Sequence, residues 1–223
     1  ARAPYFLGLA EEELGRIDDR MRTHTYAPDA PIYRAGDRAE ELYVVAEGRV
    51  KLSQVTAGGT ETVTDLLVPG ELFGAMSALG EPLHLQSASA LVGTCVLRID
   101  QQDFRQVLAE QPRIALRVLD DVAARLARTQ SDIGGQGTET VPQRVATALL
   151  RLADKLGEDR GPGGIMLEVP LSRADLAGLA RSTPESVSRV MSGWKKQGLI
   201  DSGRRWTTLL DRPRLEAVAA GDT

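Results

Sequence analysis

The pattern of apolar and polar residues changes twice along the 223-residue chain. A short stretch near the N-terminus, "AEEELGRIDDRM", predicts a helix. From Pro28 to Ile99, short runs of alternating apolar and β-branched residues, such as "LYVVAEGRVKL" and "SALVGTCVLRI", are separated by glycine-containing turns. These turns recur about every 8–12 residues, a spacing typical of an antiparallel β-roll or jelly-roll built from short strands.

Beyond Asp100 the pattern becomes helical. "QQDFRQVLAEQ" predicts a short helix that ends before Pro112, and a longer helix follows over 112–133. Apolar residues recur in the longer helix at alternating spacings of four and three, with the polar Thr129 inside the series, and they form a heptad seam of Ala115, Leu119, Val122, Leu126 and Ile133. The seam either packs on the chain's own β-domain or pairs with a second copy. A rod of about 33 Å is too long for one small barrel to cover, which favours a homodimer.

Glycine and proline then mark a domain boundary. "GGQGTETVP" at 134–142 predicts a hinge. An amphipathic helix, the exposed loop "EDRGPGG", a helix capped by Ser172 and Asp175, a second helix, a two-stranded wing and a terminal helix follow. This order predicts a winged helix-turn-helix. The expected fold is therefore α+β, with a β-roll sensor over 1–111, a dimerisation helix and hinge over 112–140 and the winged helix-turn-helix over 141–223.

Charge and composition narrow the class of function. The net charge is −4, but residues 1–140 carry −7 and residues 141–223 carry +3, as expected if only the second part meets phosphates. The single cysteine, Cys95, excludes an internal disulfide framework and a cysteine-ligated iron–sulfur cluster within one chain. Two histidines are too few for the metal sites of catalytic jelly-rolls, so neither a metal nor an enzyme is expected. The absence of a 20-residue apolar run indicates a cytoplasmic protein without a membrane span.

The second helix of a helix-turn-helix enters the major groove of double-stranded DNA through its first turns. The residues so placed are Thr183, Pro184, Glu185, Ser188 and Arg189, of which the last four are the candidate base-reading residues. Arginine can donate two hydrogen bonds to guanine, and a carboxylate can accept one from cytosine N4. The candidate phosphate contacts are Ser172, Arg173, Ser182, Thr183, Ser186, Ser192, Arg204 and Arg205.

Two simpler interpretations of the same helix remain open. Glu185 follows Ser182 by three residues, so it could be only the acidic half of a capping box. Glu185 and Arg189 could also form an ordinary surface ion pair worth about 0.3–0.5 kcal/mol.

The order of these parts resembles the CRP/FNR family of bacterial transcription regulators over nearly the whole chain. The resemblance lies in "AGDRAEELYVVAEGRVKL", "PGELFG" and "LSRADLAGLARSTPESVSRVMSGWKKQGLI". It implies that Glu185 and Arg189 hold the family's two main base-reading positions, that Ser188 matches a serine of the FNR-like branch and that Pro184 replaces a base-contacting arginine. It also implies palindromic operators with half-sites near TTGAT or GTGA. The loop "EDRGPGG" is a candidate contact with RNA polymerase, and a simple solvated turn is the alternative.

The resemblance also implies a cyclic-AMP pocket, of which this chain keeps only a part. Gly74, Arg125 and Thr129 match the family pattern, with Gln130 adjacent, whereas Ala75 replaces a glutamate. The phosphate-binding stretch contains Ser87 and Ala88, but residues 82–90 include no arginine. Burying a cyclic phosphate without a cationic partner costs several kcal/mol. We therefore expect no certain cofactor, and a regulator that needs no effector or uses one other than cyclic AMP. The alternatives are cyclic AMP bound in an altered pose, and a regulatory module whose winged helix binds a protein partner.

Overall fold

A computed structural model describes residues 11–56, 59, 61–74, 83–135, 139–203 and 205–222. The chain forms two compact units, one built from residues 1–54 and 65–133 and the other from residues 55–64 and 134–223. The helices are α1 Glu11–Asp18, α2 Gln101–Glu110, α3 Pro112–Gly135, α4 Val141–Leu156, α5 Arg173–Leu179, α6 Pro184–Lys196 and α7 Arg212–Ala220. The strands are β1 Arg22–Tyr26, β2 Pro31–Tyr33, β3 Glu41–Glu47, β4 Val50–Val55, β5 Glu61–Leu67, β6 Leu72–Gly74, β7 Ser87–Ala90, β8 Thr94–Asp100, β9 Glu158–Asp159, β10 Ile165–Leu167, β11 Ile200–Ser202 and β12 Thr207–Leu209.

The β-roll consists of two four-stranded sheets, ordered β1-β8-β3-β6 and β2-β7-β4-β5. Strand β3 pairs antiparallel with β8 and β6, and β7 pairs antiparallel with β2 and β4. Alternate residues are buried in β7 and along the first part of β8, as the period-two pattern predicts, whereas four consecutive residues are buried in β3. One core cluster of this unit consists of Tyr33, Tyr43, Val45, Val50, Leu52, Leu67, Phe73, Ala88 and Val96. The predicted α+β fold with an N-terminal β-roll is confirmed.

A second core cluster holds the helices of this unit against the β-roll. It joins Ile17 of α1, Phe104 and Val107 of α2 and Ile114 of α3 to strand residues, completed by Leu42, Val44, Leu72 and Ile99. Helix α3 is 24 residues long and continues through Gly134 and Gly135, which we expected to belong to the hinge. Glycine lowers helix stability without forbidding a helix, so the glycines did not end it.

The second unit contains a four-stranded sheet, ordered β11-β12-β10-β9. The predicted two-stranded wing is β11 and β12, and β12 also pairs with β10. The expected loop "EDRGPGG" includes the two-residue strand β9 and a 3-10 turn at Gly161–Gly163. Helix α4 begins at Val141, and its cap Thr140 forms a reciprocal capping box with Gln143. Pro142 lies inside the first turn of α4, where its missing N–H costs no helical hydrogen bond.

Candidate nucleic-acid interface and effector pocket

Helix α5 begins with the cap that the sequence predicts. The Ser172 hydroxyl accepts a hydrogen bond from the Asp175 N–H at 3.0 Å, and the Asp175 carboxylate accepts one from the Ser172 N–H at 2.8 Å. The Ser172 hydroxyl also donates to the same carboxylate at 2.7 Å. This reciprocal pair satisfies backbone donors at the helix start, so it defines where α5 begins.

Helix α6 is capped one residue later than the sequence suggests. Thr183 is the N-cap, and its hydroxyl oxygen accepts a hydrogen bond from the Ser186 N–H at 3.2 Å. Pro184 occupies the first helical position, which suits its fixed φ and missing N–H, and the cap therefore precedes it. The interpretation of Ser182 and Glu185 as a capping box is wrong, because Thr183 is the N-cap. Glu185 lies in the first turn with no capping role, where the helix dipole favours a carboxylate.

The charged side chains of Glu185 and Arg189 lie on the exposed face of helix α6. Glu185 and Arg189 are both exposed, and within the described part of the chain neither has a hydrogen bond or an ion pair. The proposed surface pair between them does not form. Ser188 is half-buried beside them, while Val187, Met191 and Trp194 on the other side of the helix are buried. A carboxylate and a guanidinium are thus presented on the exposed face of the second helix.

Several candidate phosphate ligands lie near the starts of α5 and α6. Ser172 and Arg173 are at the start of α5, and Ser182, Thr183 and Ser186 are at the start of α6, where the Thr183 hydroxyl donates to the Ser186 hydroxyl at 3.1 Å. Ser192 on α6 and Arg205 in the wing are exposed. Arg204 lies outside the described residues.

Lys195 links the wing to α6 and was not predicted. Its ammonium donates to the Ser202 carbonyl at 2.9 Å and pairs with the Asp201 carboxylate at 2.7 Å. Hydrogen bonding from Lys195 holds the pKa of the Asp201 carboxyl below its ordinary value. On the α5 side, Arg173 Nη2 lies 3.5 Å from the Ser202 hydroxyl. Strand β11 is therefore bonded to both helices of the helix-turn-helix. These contacts join different elements, so the spacing of residues within one element does not predict them.

A hydrogen bond from Arg144 holds the start of the turn between α5 and α6. Arg181 adopts a left-handed conformation with φ of 46°, and Ala180 ends α5 just before it. Arg144 of α4 donates to the Ala180 carbonyl at 3.1 Å and to the Glu139 carbonyl at 2.6 Å. One guanidinium thus satisfies a carbonyl at the end of α5 and another just before α4.

In the first unit, two of the polar groups expected in the effector pocket, Ser87 and Arg125, are bonded to the chain itself. The Ser87 hydroxyl accepts a hydrogen bond from the Ala35 N–H at 3.0 Å. Arg125 donates to the Leu72 carbonyl at 2.7 Å and pairs with the Asp121 carboxylate at 2.9 Å. Of the remaining candidates, Ala88 is buried and Gln130 is exposed, while Ala75 and the Thr129 side chain lie outside the described residues.

Gly74 occupies a position where no other residue fits easily. Its φ is 101°, and an added Cβ would lie 3.0 Å from the Glu41 carbonyl oxygen and from a ring carbon of Tyr43. Both the conformation and the close approach require glycine. The glycine is therefore explained by the packing of β6 against β3, without a ligand.

Two aromatic residues missed by sequence reasoning lie beside these groups. Tyr33 and His84 are both buried, and their rings stack in parallel with centroids 3.6 Å apart. Burial lowers the pKa of the His84 imidazole and raises the pKa of the Tyr33 phenol. Tyr33 is the buried last residue of strand β2, and its stacking partner comes from a distant segment of the chain.

The predicted dimer seam lies partly on the surface of α3. Leu119 and Leu126 are 61% and 57% exposed, and Leu116, which was not predicted, is 62% exposed. Ala115 and Val122 are half-buried, and the side chains of Thr129 and Ile133 lie outside the described residues. The leucines at 116, 119 and 126 recur at spacings of three and seven, so they form one stripe along α3, which we call the leucine stripe.

The described residues contain no cluster of three or more metal-ligating side chains. Within the same ranges, every helix is too short or too polar to cross a bilayer.

Comparison with known proteins shows which protein families the two units resemble. Residues 23–111 match the family model of the cyclic nucleotide-binding domain, and residues 143–218 match the Crp-like helix-turn-helix domain. The chain is 32% identical to the cyclic AMP receptor protein of Thermus thermophilus over 219 residues, covering 98% of each chain. It is 24% identical to a CRP-like cAMP-activated global transcriptional regulator of Mycobacterium tuberculosis, covering 96% of each. The structure of FixK2 from Bradyrhizobium japonicum superposes with a TM-score of 0.78 at 27% identity, covering 89% of this chain and 96% of that one.

Proposed function

Since the chain belongs to the CRP/FNR family of DNA-binding transcription regulators, we propose that it acts as a homodimer on palindromic promoter sites without requiring cyclic AMP. The family consists of transcription regulators and not of enzymes. The observation that carries the proposal is the free pair of Glu185 and Arg189 on the exposed face of α6. Among the described residues neither side chain has a hydrogen-bond or ion-pair partner, so both are available to base edges.

The chemistry of this face favours direct base reading. Arg189 supplies two parallel donors for guanine O6 and N7, and Glu185 supplies an acceptor for cytosine N4. The two residues are four apart and so lie one helical turn from each other, which lets them reach neighbouring base pairs. Arg173 and Arg205, with the hydroxyls at the starts of α5 and α6, would contact phosphates and set the register.

DNA binding is distinguished from protein binding by its salt dependence. Affinity for a palindromic duplex should fall steeply with salt, with a log–log slope of about −0.9 for each phosphate neutralised. The duplex is one selected by the wild-type protein from a randomised pool. A selection that returns no palindrome would refute the proposal, and binding of a protein partner with no salt-sensitive DNA binding would favour the partner-binding alternative.

The leucine stripe supports the homodimer. Leu116, Leu119 and Leu126 are more than half exposed in one chain. Fully burying a leucine contributes about 1.5–3 kcal/mol. Six leucines in a dimer can therefore offset much of the cost of association. Helix dimers of this kind place two recognition helices on half-sites about 34 Å apart.

The homodimer is tested by charging one leucine of the stripe. Leu119→Glu should sediment as a monomer at micromolar concentration and lose operator binding, because a carboxylate would be buried without a partner. Leu85→Glu is the matched control, since Leu85 is 67% exposed and lies outside α3. If Leu119→Glu sediments as the wild-type dimer, the stripe is not the interface.

Two features support independence from cyclic AMP. The Arg125 guanidinium is already bonded to Asp121 and to the Leu72 carbonyl. The phosphate-binding stretch offers no arginine, and the Ser87 hydroxyl already accepts from the Ala35 N–H. A cyclic phosphate would have to displace these bonds and would still lack a dedicated cation.

The second candidate is a regulator that binds cyclic AMP in an altered pose. It is favoured by the 32% identity to a protein named as a cyclic AMP receptor and by the retained Arg125. Isothermal titration with cyclic AMP, beside operator binding without effector, separates the two. Sub-micromolar binding of cyclic AMP would refute the effector-independent proposal, whereas tight operator binding without it would support that proposal.

RNA polymerase is the proposed protein partner on the promoter. The candidate contact is the exposed segment that follows α4, where Arg160 pairs with Glu158 at 2.6 Å before the 3-10 turn. Arg160→Ala should reduce activated transcription in vitro while operator affinity stays unchanged. Unchanged transcription from a promoter activated by the wild type would remove this segment as the contact.

A further inference from the structure

The interior of the β-roll contains a concentrated group of aromatic rings. The chain has nine Phe, Trp and Tyr residues in all. Three of them, Tyr33, Tyr43 and Phe73, belong to one core cluster, with ring centroids 5.2–6.1 Å apart. His84 joins them by stacking on Tyr33. Three of the nine aromatic residues, together with His84, therefore form one group inside the β-roll.

Tyr33 lies among the residues that the family resemblance assigns to the effector. Its partner across the β2–β7 ladder is Ala88. Its phenolic oxygen is hydrogen-bonded by the Gly74 backbone N–H, and it lies within electrostatic range of Arg125. Two residues beyond Tyr33, the chain bonds to Ser87 through the Ala35 N–H. Four expected pocket residues thus converge on Tyr33 and the segment that follows it.

The contacts of Tyr33 are those that a planar aromatic ligand would make. One face of its ring is stacked on His84 at 3.6 Å with an interplanar angle of 9°. Its polar atom is held by a backbone donor at a glycine, and the rest of the ring is enclosed by apolar side chains. Small-molecule pockets use the same combination of apolar walls and a few fixed polar groups.

A short series of bonds connects Tyr33 to the long helix α3. Tyr33 is bonded to Gly74, which is the last residue of strand β6. Leu72 is the first residue of the same strand, and its carbonyl accepts from Arg125 of α3. A change at Tyr33 would therefore be transmitted through a three-residue strand to the helix that carries the leucine stripe.

We infer that Tyr33 is a built-in occupant of the effector site, which holds β6 and α3 in the DNA-binding arrangement in place of a diffusible ligand. The inference rests on the proposed function, because it explains how operator binding proceeds without an effector. A protein that already populates its active arrangement needs no ligand with a higher affinity for that arrangement.

The test is chemical rescue of operator binding. In Tyr33→Ala the ring is removed, and operator affinity without effector should fall by about 5–150-fold, the range of ordinary coupling between sites. Phenol, which supplies the missing ring and hydroxyl, should restore the affinity at millimolar concentration. Phe104→Ala is the matched control, because Phe104 is an equally buried aromatic of the other core cluster. It should lose stability without any rescue by phenol.

A conservative variant covers the case in which Tyr33→Ala does not fold. In Tyr33→Phe only the hydroxyl is removed, so the Gly74 N–H loses its acceptor and operator affinity should fall about twofold to tenfold. Unchanged affinity in a folded Tyr33 variant, or a loss in Tyr33→Ala that phenol does not restore, overturns the inference. The proposed function is judged on the wild type alone, since it fails if the wild type does not bind the palindrome without effector.

Discussion

Replacing Arg189 is the sharpest test of base reading by α6. The side chain is exposed and has no bond to the rest of the described chain. Arg189→Ala should therefore change the free energy of unfolding by no more than about 0.5 kcal/mol. On DNA, the loss of a bidentate contact to guanine should cost about 1–3 kcal/mol at each half-site. A homodimer on a palindrome uses the contact twice, so the total cost is about 2–6 kcal/mol and discrimination between operator and scrambled duplex should fall at least about thirtyfold.

The assay is fluorescence anisotropy with labelled operator and with a scrambled duplex of equal length, each over a series of salt concentrations. The quantity compared is the ratio of the two affinities at one salt concentration. Arg205→Ala is the matched control, since Arg205 is an exposed arginine of the wing. Its loss should weaken binding to both duplexes equally and reduce the salt slope by about 1 per half-site. If Arg189→Ala keeps the wild-type ratio, or if it behaves as Arg205→Ala does, Arg189 contacts phosphate and does not read bases.

Two further predictions concern stability and the wing. Burial lowers the pKa of His84 below its ordinary 6.5, partly opposed by Asp37. At a pH below about 6.5 the unfolded chain therefore binds more protons than the folded chain, so the free energy of unfolding should fall as the pH drops. In urea denaturation, His84→Phe should show a weaker pH dependence than the wild type. Lys195→Met should raise the pKa of the Asp201 carboxyl, followed by NMR titration, and an unchanged pKa would show that the hydrogen bond to Lys195 does not form in solution.

The helices and the order of strands follow from local sequence patterns. The cap of Ser172 and Asp175 was predictable because both residues lie within one turn, and the exposed face of α6 follows from its 3.6-residue period. The start of α6 shows the limit of such patterns. Ser182 and Thr183 are both good caps, and only the preference of Pro184 for the first helical position decides between them.

The effector side could not be predicted from the residues alone. Arg125 was assigned to a ligand by resemblance, but its Leu72 partner lies 53 residues away on β6. The stacking of Tyr33 on His84 joins β2 to a segment 51 positions further along the chain. Periodicity within an element predicts which face a residue occupies, but it does not predict which distant group packs against that face.

The leucine stripe on α3 has a consequence for how the regulator responds to its own abundance. If the DNA-binding species is a homodimer that requires no ligand, its concentration is set by the amount of protein alone. Below the dissociation constant of the dimer, the dimer concentration rises with the square of the monomer concentration, so a doubling of the protein yields about four times as much of the active species. Synthesis and degradation of the chain, and not a diffusible signal, would then determine promoter occupancy. Substitutions in Leu116, Leu119 or Leu126 would shift the protein level at which the promoters respond.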